Sequence, residues 1–293
     1  MKTICIVGAG PSGLFCAHKI LSEYCSKASK EVFRIVIIEK GEKPSARSCP
    51  GAVDGVCRKC DSCAILSGGG GAGLFSDGKI IQDLNVGGHN DTVFALSPEE
   101  KDEYISYITQ TLVSFDGVST YKEKPCEEIQ ENFNRRFSSV DLNAKYYSVL
   151  HMGSSNLAHI LEGFIGELTK ASSVDIKYGT TVTRIAHLEN KYNVYSNDNL
   201  ICTADYVVMA VGKSGASWLK ETLLPLGVHF NETGYYFGLR IEVPQRYLSS
   251  LATLSFDPKI YRKVDVERKV KMHCFCRKGN VIMTNYEDCV VAG

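Results

Sequence analysis

The hydrophobic and polar positions of this chain change period repeatedly, and each change marks an element. A short apolar run, Thr3 to Val7, passes through glycines into apolar residues at helical spacing from Leu14 to Tyr24, which predicts strand, turn and helix. From Val32, "VFRIVIIEKGE" is a β-branched run of the kind found in strands buried on both faces of a parallel sheet. A β-α-β unit therefore opens the protein. Pro44 to His89 has little periodicity and much Gly, Ser and Cys, and a loop of that length inside a domain argues for function. "SPEEKDEYISYITQTLVSF" starts with a Ser cap, a Pro in the first turn and early acids, predicting a helix from about Pro98. A second, weaker helix covers Cys126 to Phe137. "YYSVLHMG" reads as a strand, and "SSNLAHILEGFIGELTK" as a helix with Leu157, Ile160, Leu161, Phe164, Ile165 and Leu168 on one stripe. The short runs "VDIKYG", "TVTRIAHLEN", "KYNVYSN" and "DYVVMAVG" predict strands. Beyond Gly227, "GYYFGLRIEVP" and "RKVKMHCFCRKGNVIMTN" predict a β-rich second region.

Composition narrows the classes. The chain has 293 residues, 44% hydrophobic and 23% charged, enough for one large domain or two intertwined smaller ones. Its 33 Lys and Arg balance 33 Asp and Glu, so no global field draws nucleic acid or an acidic membrane surface. The first residues, "MKTICIVGAGPSGLF", are apolar like a signal sequence, but their glycines sit where a strand should turn into a helix and no cleavage region follows. No apolar run reaches the roughly 18 to 20 residues that span a bilayer. Twelve cysteines point to a reducing compartment. The expectation is a soluble, cytoplasmic protein with a small-molecule substrate and neither nucleic-acid nor membrane partners.

Gly8, Gly10 and Gly13, with Pro11 and Ser12 between the last two, form G-x-G-x-x-G between the first strand and helix. The first glycine permits the tight turn, the second lets a pyrophosphate approach the backbone, and the third brings the helix close to the sheet. The helix N-terminus supplies N–H donors and a positive dipole end. Glu39 ends the second strand, where a carboxylate accepts from a ribose and repels a 2′-phosphate, with Lys40 beside it weakening that repulsion. Gly13 to Glu39 exceeds the usual spacing, so an insertion, "CSKASKE", is expected in the helix or its exit. This leaves NAD or the ADP half of FAD.

Two later segments favour FAD. "TADYVVMAVGKSG" resembles the distal motif of two-dinucleotide-fold flavoproteins, in which small residues, here Ala210 and Gly212, let the cofactor pass. "GTTVTRI" resembles the strand that offers backbone groups to the adenine near Val182. "CxxCxxC…SGGGGAGLFSDGKI", "HMGSSNLAHIL", "FGLRIEVP" and "RKVKMHCFCRKGNVI" together resemble the successive blocks of the uncharacterised FAD-dependent dehydrogenases, a group within the glutathione-reductase-like flavoproteins. The resemblance implies an α/β protein: a Rossmann-like FAD-binding domain with parallel sheet and β-meander (residues 1–93 and 150–218), plus an inserted α+β, β-rich substrate region (residues 94–149 and 219–293). It also places Gly71, Gly73, Ser76, Asp77, Gly78 and Lys79 along the cofactor. Members of that family continue past the point where this sequence stops, with another FAD motif. The expectation is therefore a fragment, a chain whose missing C-terminal part a partner supplies, or a short form with weakened cofactor affinity.

The implied activity is that of an FAD-dependent oxidoreductase passing hydride or electrons between a small organic substrate and flavin, with NAD(P)H as a candidate electron donor. Two alternatives stand beside it: a flavin monooxygenase, and a non-catalytic nucleotide- or metal-binding module. The cysteines leave further alternatives. Cys49, Cys57, Cys60 and Cys63 have the spacing C-x7-C-x2-C-x2-C, suited to zinc or an iron–sulfur cluster. Cys60 and Cys63 alone suit a redox dithiol, and all four also suit plain packing of a tight loop. Cys274 and Cys276, two apart, share one face of the predicted strand, either as buried packing residues or as a second thiol pair. For His151, before a predicted helix, a hydrogen-bonding or cofactor-edge role stands as the alternative to a bland one, and His273 reads as structural. Arg135, Arg136 and the stretch Arg262 to Lys271 read as solvated basic faces. No catalytic acid or base is assigned.

Overall fold

The computed structural model describes residues 1–24, 33–75, 78–86, 95–115, 120–231, 237–265, 268–276, 279, 281–286 and 289–292. In chain order the elements are β1 (Lys2–Val7), α1 (Pro11–Tyr24), β2 (Phe33–Ile38), β3 (Lys79–Ile81), α2 (Pro98–Val113), β4 (Thr120–Lys122), α3 (Glu127–Ser138), β5 (Asn143–Lys145), β6 (Val149–His151) and α4 (Ser154–Lys170). There follow β7 (Val174–Lys177), β8 (Arg184–Leu188), β9 (Lys191–Ser196), β10 (Asn199–Ala204), β11 (Tyr206–Met209), α5 (Ala216–Leu223), α6 (Ser249–Leu254), β12 (Lys259–Lys263), β13 (Lys269–Lys271), β14 (Met283–Tyr286) and β15 (Cys289–Ala292). None of the described helices is long and apolar enough to cross a membrane.

The chain divides into two units. The first holds Met1–Phe75, Ala158–Arg240 and Val281–Gly293, and the second holds Ser76–Leu157 and Ile241–Asn280. These bounds depart from those expected of the sequence: 76–93 and 150–157 go with the second unit, and 219–240 and 281–293 with the first. The ladders give the reason at one boundary, because β3 and β4 both pair antiparallel with β6 and tie 79–81 to 149–151.

In the first unit β1, β2, β7 and β11 form a parallel sheet in the order β11-β1-β2-β7. The β-branched run in β2 is explained by burial on both faces: Ile35 and Ile37 are fully buried, Val36 and Ile38 nearly so. Each such side chain contributes about 1.5–3 kcal/mol relative to exposure. α1 packs Leu14 and Ala17 inward, and the α4 stripe buries Ile160, Leu161, Phe164 and Leu168, with the Phe164 ring 5.0 Å from that of Phe15. Between β7 and β11 the chain makes an antiparallel meander with β9 central. Val194 and Ala204 of the meander share one buried cluster with Cys5, Val7, Val36, Ile38 and Val182.

The second unit has two three-stranded sheets, β3-β6-β4 and β5-β12-β13. Tyr147, Val149, Leu150, Met152, Leu254 and Ile260 are buried in it. α2 carries the predicted cap as a full capping box: Ser97 Oγ accepts from Glu100 N–H at 3.2 Å, and Ser97 N–H donates to Glu100 Oε2 at 2.8 Å.

Two readings of the pattern are corrected, and one strand is found that the pattern did not mark. "NLICTA" forms its own strand, β10, as the central partner's second neighbour. The part of "GYYFGLRIEVP" that is described, 237–244, forms no strand, and Phe237, Leu239 and Ile241 are 95%, 80% and 76% exposed. Alternation describes a surface suited to a strand, and the ladder needs a partner as well. Of "RKVKMHCFCRKGNVIMTN", the described strands are Lys269–Lys271 and, at its end, the start of β14. Met272 to Cys276 is irregular, because the Phe275 N–H donates to Asp257 Oδ1 at 3.1 Å rather than to a neighbouring strand.

Candidate cofactor site

The glycine turn sits where the sheet changes direction. β1 leads to β2 on one side and has β11, the last strand, on the other, so the ends of β1 and β11 form a topological switch point. Gly8 N–H donates to Ile38 O and Ala210 N–H donates to Val7 O, both at 2.8 Å, which fixes the turn between the ends of β2 and β11. Gly8 has φ 111°, and a Cβ there would lie 2.2 Å from Ala210 O. A Cβ on Gly13 would lie 2.0 Å from Gly8 O, so α1 sits directly on the turn. These two glycines are required by packing alone. Gly10 differs: a Cβ there would meet Gly71 Cα at 3.7 Å, an ordinary contact, and its φ is not positive. Neither packing nor backbone conformation demands glycine at position 10. The first helical bond runs from Leu14 N–H to Gly10 O at 3.0 Å, so the Ser12 and Gly13 N–H groups precede the ladder at the positive end of α1.

Glu39 is buried and its carboxylate joins three turns. Oε2 accepts from Ala9 N–H at 2.8 Å, and Oε1 accepts from Gly41 N–H and Gly68 N–H at 2.9 Å each. A carboxylate offers about four acceptor positions, so a ribose hydroxyl would share Glu39 with the backbone rather than hold it alone. Lys40 Nζ donates to Ser214 O at 3.3 Å. Gly212 has φ 63° with open space around it, so its backbone conformation is what calls for glycine. The Val182 side chain is buried in the meander cluster.

Arg47, unmarked by any periodicity or motif, organises the glycine loop. Its Nε donates to Ala64 O at 3.0 Å. Nη1 donates to Gly69 O at 2.8 Å and Gly71 O at 2.7 Å, and Nη2 to Ala64 O at 2.8 Å and Ile65 O at 3.1 Å. Burial lowers the guanidinium pKa to about 10, opposed by Glu39 and Cys63, which leaves it charged at neutral pH. A Cβ on Gly68, Gly69 or Gly70 would lie 2.5 to 2.6 Å from Arg47 Cδ, Pro44 Cδ or Leu161 Cδ1 respectively. Those glycines serve packing. A Cβ on Gly71, whose φ is 58°, would lie 3.0 Å from Gly10 Cα and 3.3 Å from Pro11 Cδ, and one on Gly73 3.5 Å from Pro11 Cγ, both beside the α1 N-terminus.

The remaining expected residues are placed as follows. Ser76 and Asp77 lie outside the described residues. Gly78 and Lys79 belong to the second unit, where Gly78 O accepts from Met152 N–H at 2.9 Å and Lys79 Nζ donates to Phe275 O. The predicted loop from Gly71 to Lys79 is thus divided between the units. His151 stacks on Phe256 with ring centroids 4.9 Å apart. Arg135 and Arg136 are exposed, and Arg262 Nε pairs with Asp141 Oδ2 at 2.9 Å.

Cys49, Cys57, Cys60 and Cys63 are half-buried thiols. Among the described residues no group of three or more His, Cys, Asp or Glu is arranged to hold a metal ion. Their backbones are spent on turns instead: Ala52 N–H donates to Cys49 O at 3.0 Å, and Ser67 N–H to Cys63 O at 2.9 Å. Cys274 and Cys276 are exposed, not buried as expected. Among the described residues, the Tyr178 hydroxyl is the buried side-chain polar atom with no hydrogen-bond partner; burial and the nearby Glu39 raise its pKa to about 12.

No family model matches the chain. A protein of Clostridium beijerinckii, named only as uncharacterized, is 22% identical over 298 aligned positions, covering 97% of this chain and 46% of that relative. The chain therefore spans about half that relative's length. Solved structures with some likeness include the FAD-bound, dithionite-reduced L-α-glycerophosphate oxidase of Mycoplasma pneumoniae (14% identity, 75% of this chain and 57% of that one, TM-score 0.42). Another is a flavoprotein/dehydrogenase of Cytophaga hutchinsonii (15% identity, 80% and 44%, TM-score 0.39). A third is the amino acid oxidase NikD (11% identity, 78% and 55%, TM-score 0.38).

Proposed function

We propose that this chain carries the dinucleotide-binding part of an FAD-dependent oxidoreductase. The observation that supports it most is the contrast among the fingerprint glycines: Gly8 and Gly13 are explained by packing, whereas a Cβ at Gly10 would meet only an ordinary contact, as expected where a bound group needs the room. The parallel sheet, the meander between β7 and β11 and the switch point beside Gly8 support the same Rossmann-like reading. The Ser12 and Gly13 N–H groups would receive the pyrophosphate, and Gly10, Gly71 and Gly73 would give it room. Glu39 would add a ribose contact to its backbone bonds, and its charge disfavours a 2′-phosphate. Arg47 is a positioning residue that holds the Gly69–Gly71 backbone. When bound, the flavin would accept or donate the hydride or electron pair of the reaction.

Reduction or oxidation of a small organic substrate is the reaction class proposed, with substrate and acceptor unassigned. The test is the flavin content of the purified protein, by absorption and by chromatography of the released cofactor. Roughly one FAD per chain supports the reading. Protein that is colourless and takes up NAD but not FAD on reconstitution overturns it.

A further inference from the structure

We propose that Cys274 and Cys276 form a thiol–disulfide exchange site for low-molecular-weight disulfides, with Cys276 as the attacking thiolate and Lys79 as the cation beside it. The flavin reading is not required for it. Four observations within the second unit carry the inference. Cys274 and Cys276 are both exposed while Phe275 between them is 4% exposed, so the two thiols lie on the solvent side of a segment anchored by its middle residue. That anchor is made at both backbone polar groups of Phe275: its N–H donates to Asp257 Oδ1 at 3.1 Å, and its carbonyl accepts from Lys79 Nζ. Asp257 is itself buried and held, pairing with Lys259 Nζ at 2.5 Å through Oδ2. The same Lys79 ammonium stands 3.9 Å from Cys276 Sγ.

An adjacent ammonium favours the thiolate, which is the nucleophilic form of cysteine, and exposure gives a disulfide access to it. Residues two apart in a chain have Cα atoms at most about 7 Å apart, so Cys274 and Cys276 fall within or at the edge of the range that a disulfide spans. A bond between Cys274 and Cys276 would therefore form under strain and be readily reduced, which suits exchange rather than structural crosslinking.

The chemistry balances as two exchanges. Cys276 thiolate attacks one sulfur of the substrate disulfide, forming a mixed disulfide and expelling one thiolate, which takes a proton from water. Cys274, on losing its proton, attacks Cys276 Sγ, forms the internal disulfide and expels the second thiolate. The dithiol loses two electrons and the substrate disulfide gains them, and an added thiol reverses the sequence.

The experiment uses the whole chain, reduced, freed of reductant and equilibrated with glutathione and its disulfide before acid quenching, alkylation and peptide mass analysis. An internal disulfide within the peptide holding both cysteines, with Cys274→Ser accumulating a glutathione adduct on Cys276, is the expected result. Cys276 should also be alkylated about tenfold faster at neutral pH than in the denatured chain. Lys79→Met should remove that acceleration at neutral pH but not at alkaline pH, where the thiol ionises anyway, and Lys79→Arg should retain it. Circular dichroism establishes that each variant is folded, and Lys79→Arg serves as the test if Lys79→Met is not. Glutathione adducts without an internal disulfide, or a Cys276 that reacts no faster folded than denatured, overturn the proposal.

Discussion

Three glycines of one motif answer to different constraints, and the difference can be measured. A Cβ at Gly8 or Gly13 would fall 2.2 or 2.0 Å from a backbone oxygen, so Gly8→Ala and Gly13→Ala are expected to destabilise the protein by about 2–4 kcal/mol in urea unfolding. Gly10→Ala, with its nearest contact at 3.7 Å, should change stability by less than about 1 kcal/mol while still weakening cofactor binding. Tyr178 makes a second case. Its hydroxyl is buried without a partner, so Tyr178→Phe should be neutral or stabilising by up to about 1 kcal/mol near pH 7. Its pKa also predicts the pH dependence. Below pH 10 both folded and unfolded states keep the proton, and Tyr178 contributes no slope. Between about pH 10 and 12 the unfolded state ionises first, so stability falls as pH rises. Denaturation midpoints across that window should fall less steeply in Tyr178→Phe than in the parent; equal slopes would contradict the assignment.

At the scale of elements, the glycine loop depends on one side chain. Arg47→Met would leave the carbonyls of Ala64, Ile65, Gly69 and Gly71 without their charged donor, at a cost on the order of 3–5 kcal/mol. Arg47→Lys, with three donors in place of a planar fork, should recover less than half of that in the same unfolding measurement. The sequence made the frame of the first unit legible. The β-branched run of β2, the stripe on α4 and the Ser97 cap all appear where the pattern puts them, because burial and capping are local properties. What it could not show depends on partners far along the chain. Arg47 reaches 17 to 24 residues ahead, the glycines of 68–70 face side chains from elsewhere, and Phe275 is drawn out of a strand by Asp257. Glu39 was legible as a carboxylate at the end of β2, but not as the acceptor for three separate turns.

At the scale of the whole molecule, the first unit brings the fingerprint, the end of β11 and the Gly71–Phe75 turn to one end of one sheet, as a dinucleotide site requires. The second unit holds the thiol pair, Lys79 and Asp257. The central claim is that the first unit binds FAD at the α1 N-terminus, and titration of the purified chain with FAD, followed by quenching of flavin fluorescence, tests it most directly. Saturable one-to-one binding is expected, weakened by about tenfold or more in Gly10→Ala, equivalent to about 1.4 kcal/mol, with the urea midpoint nearly unchanged. Absence of saturable binding by the parent chain, or equal binding by parent and Gly10→Ala, would contradict it.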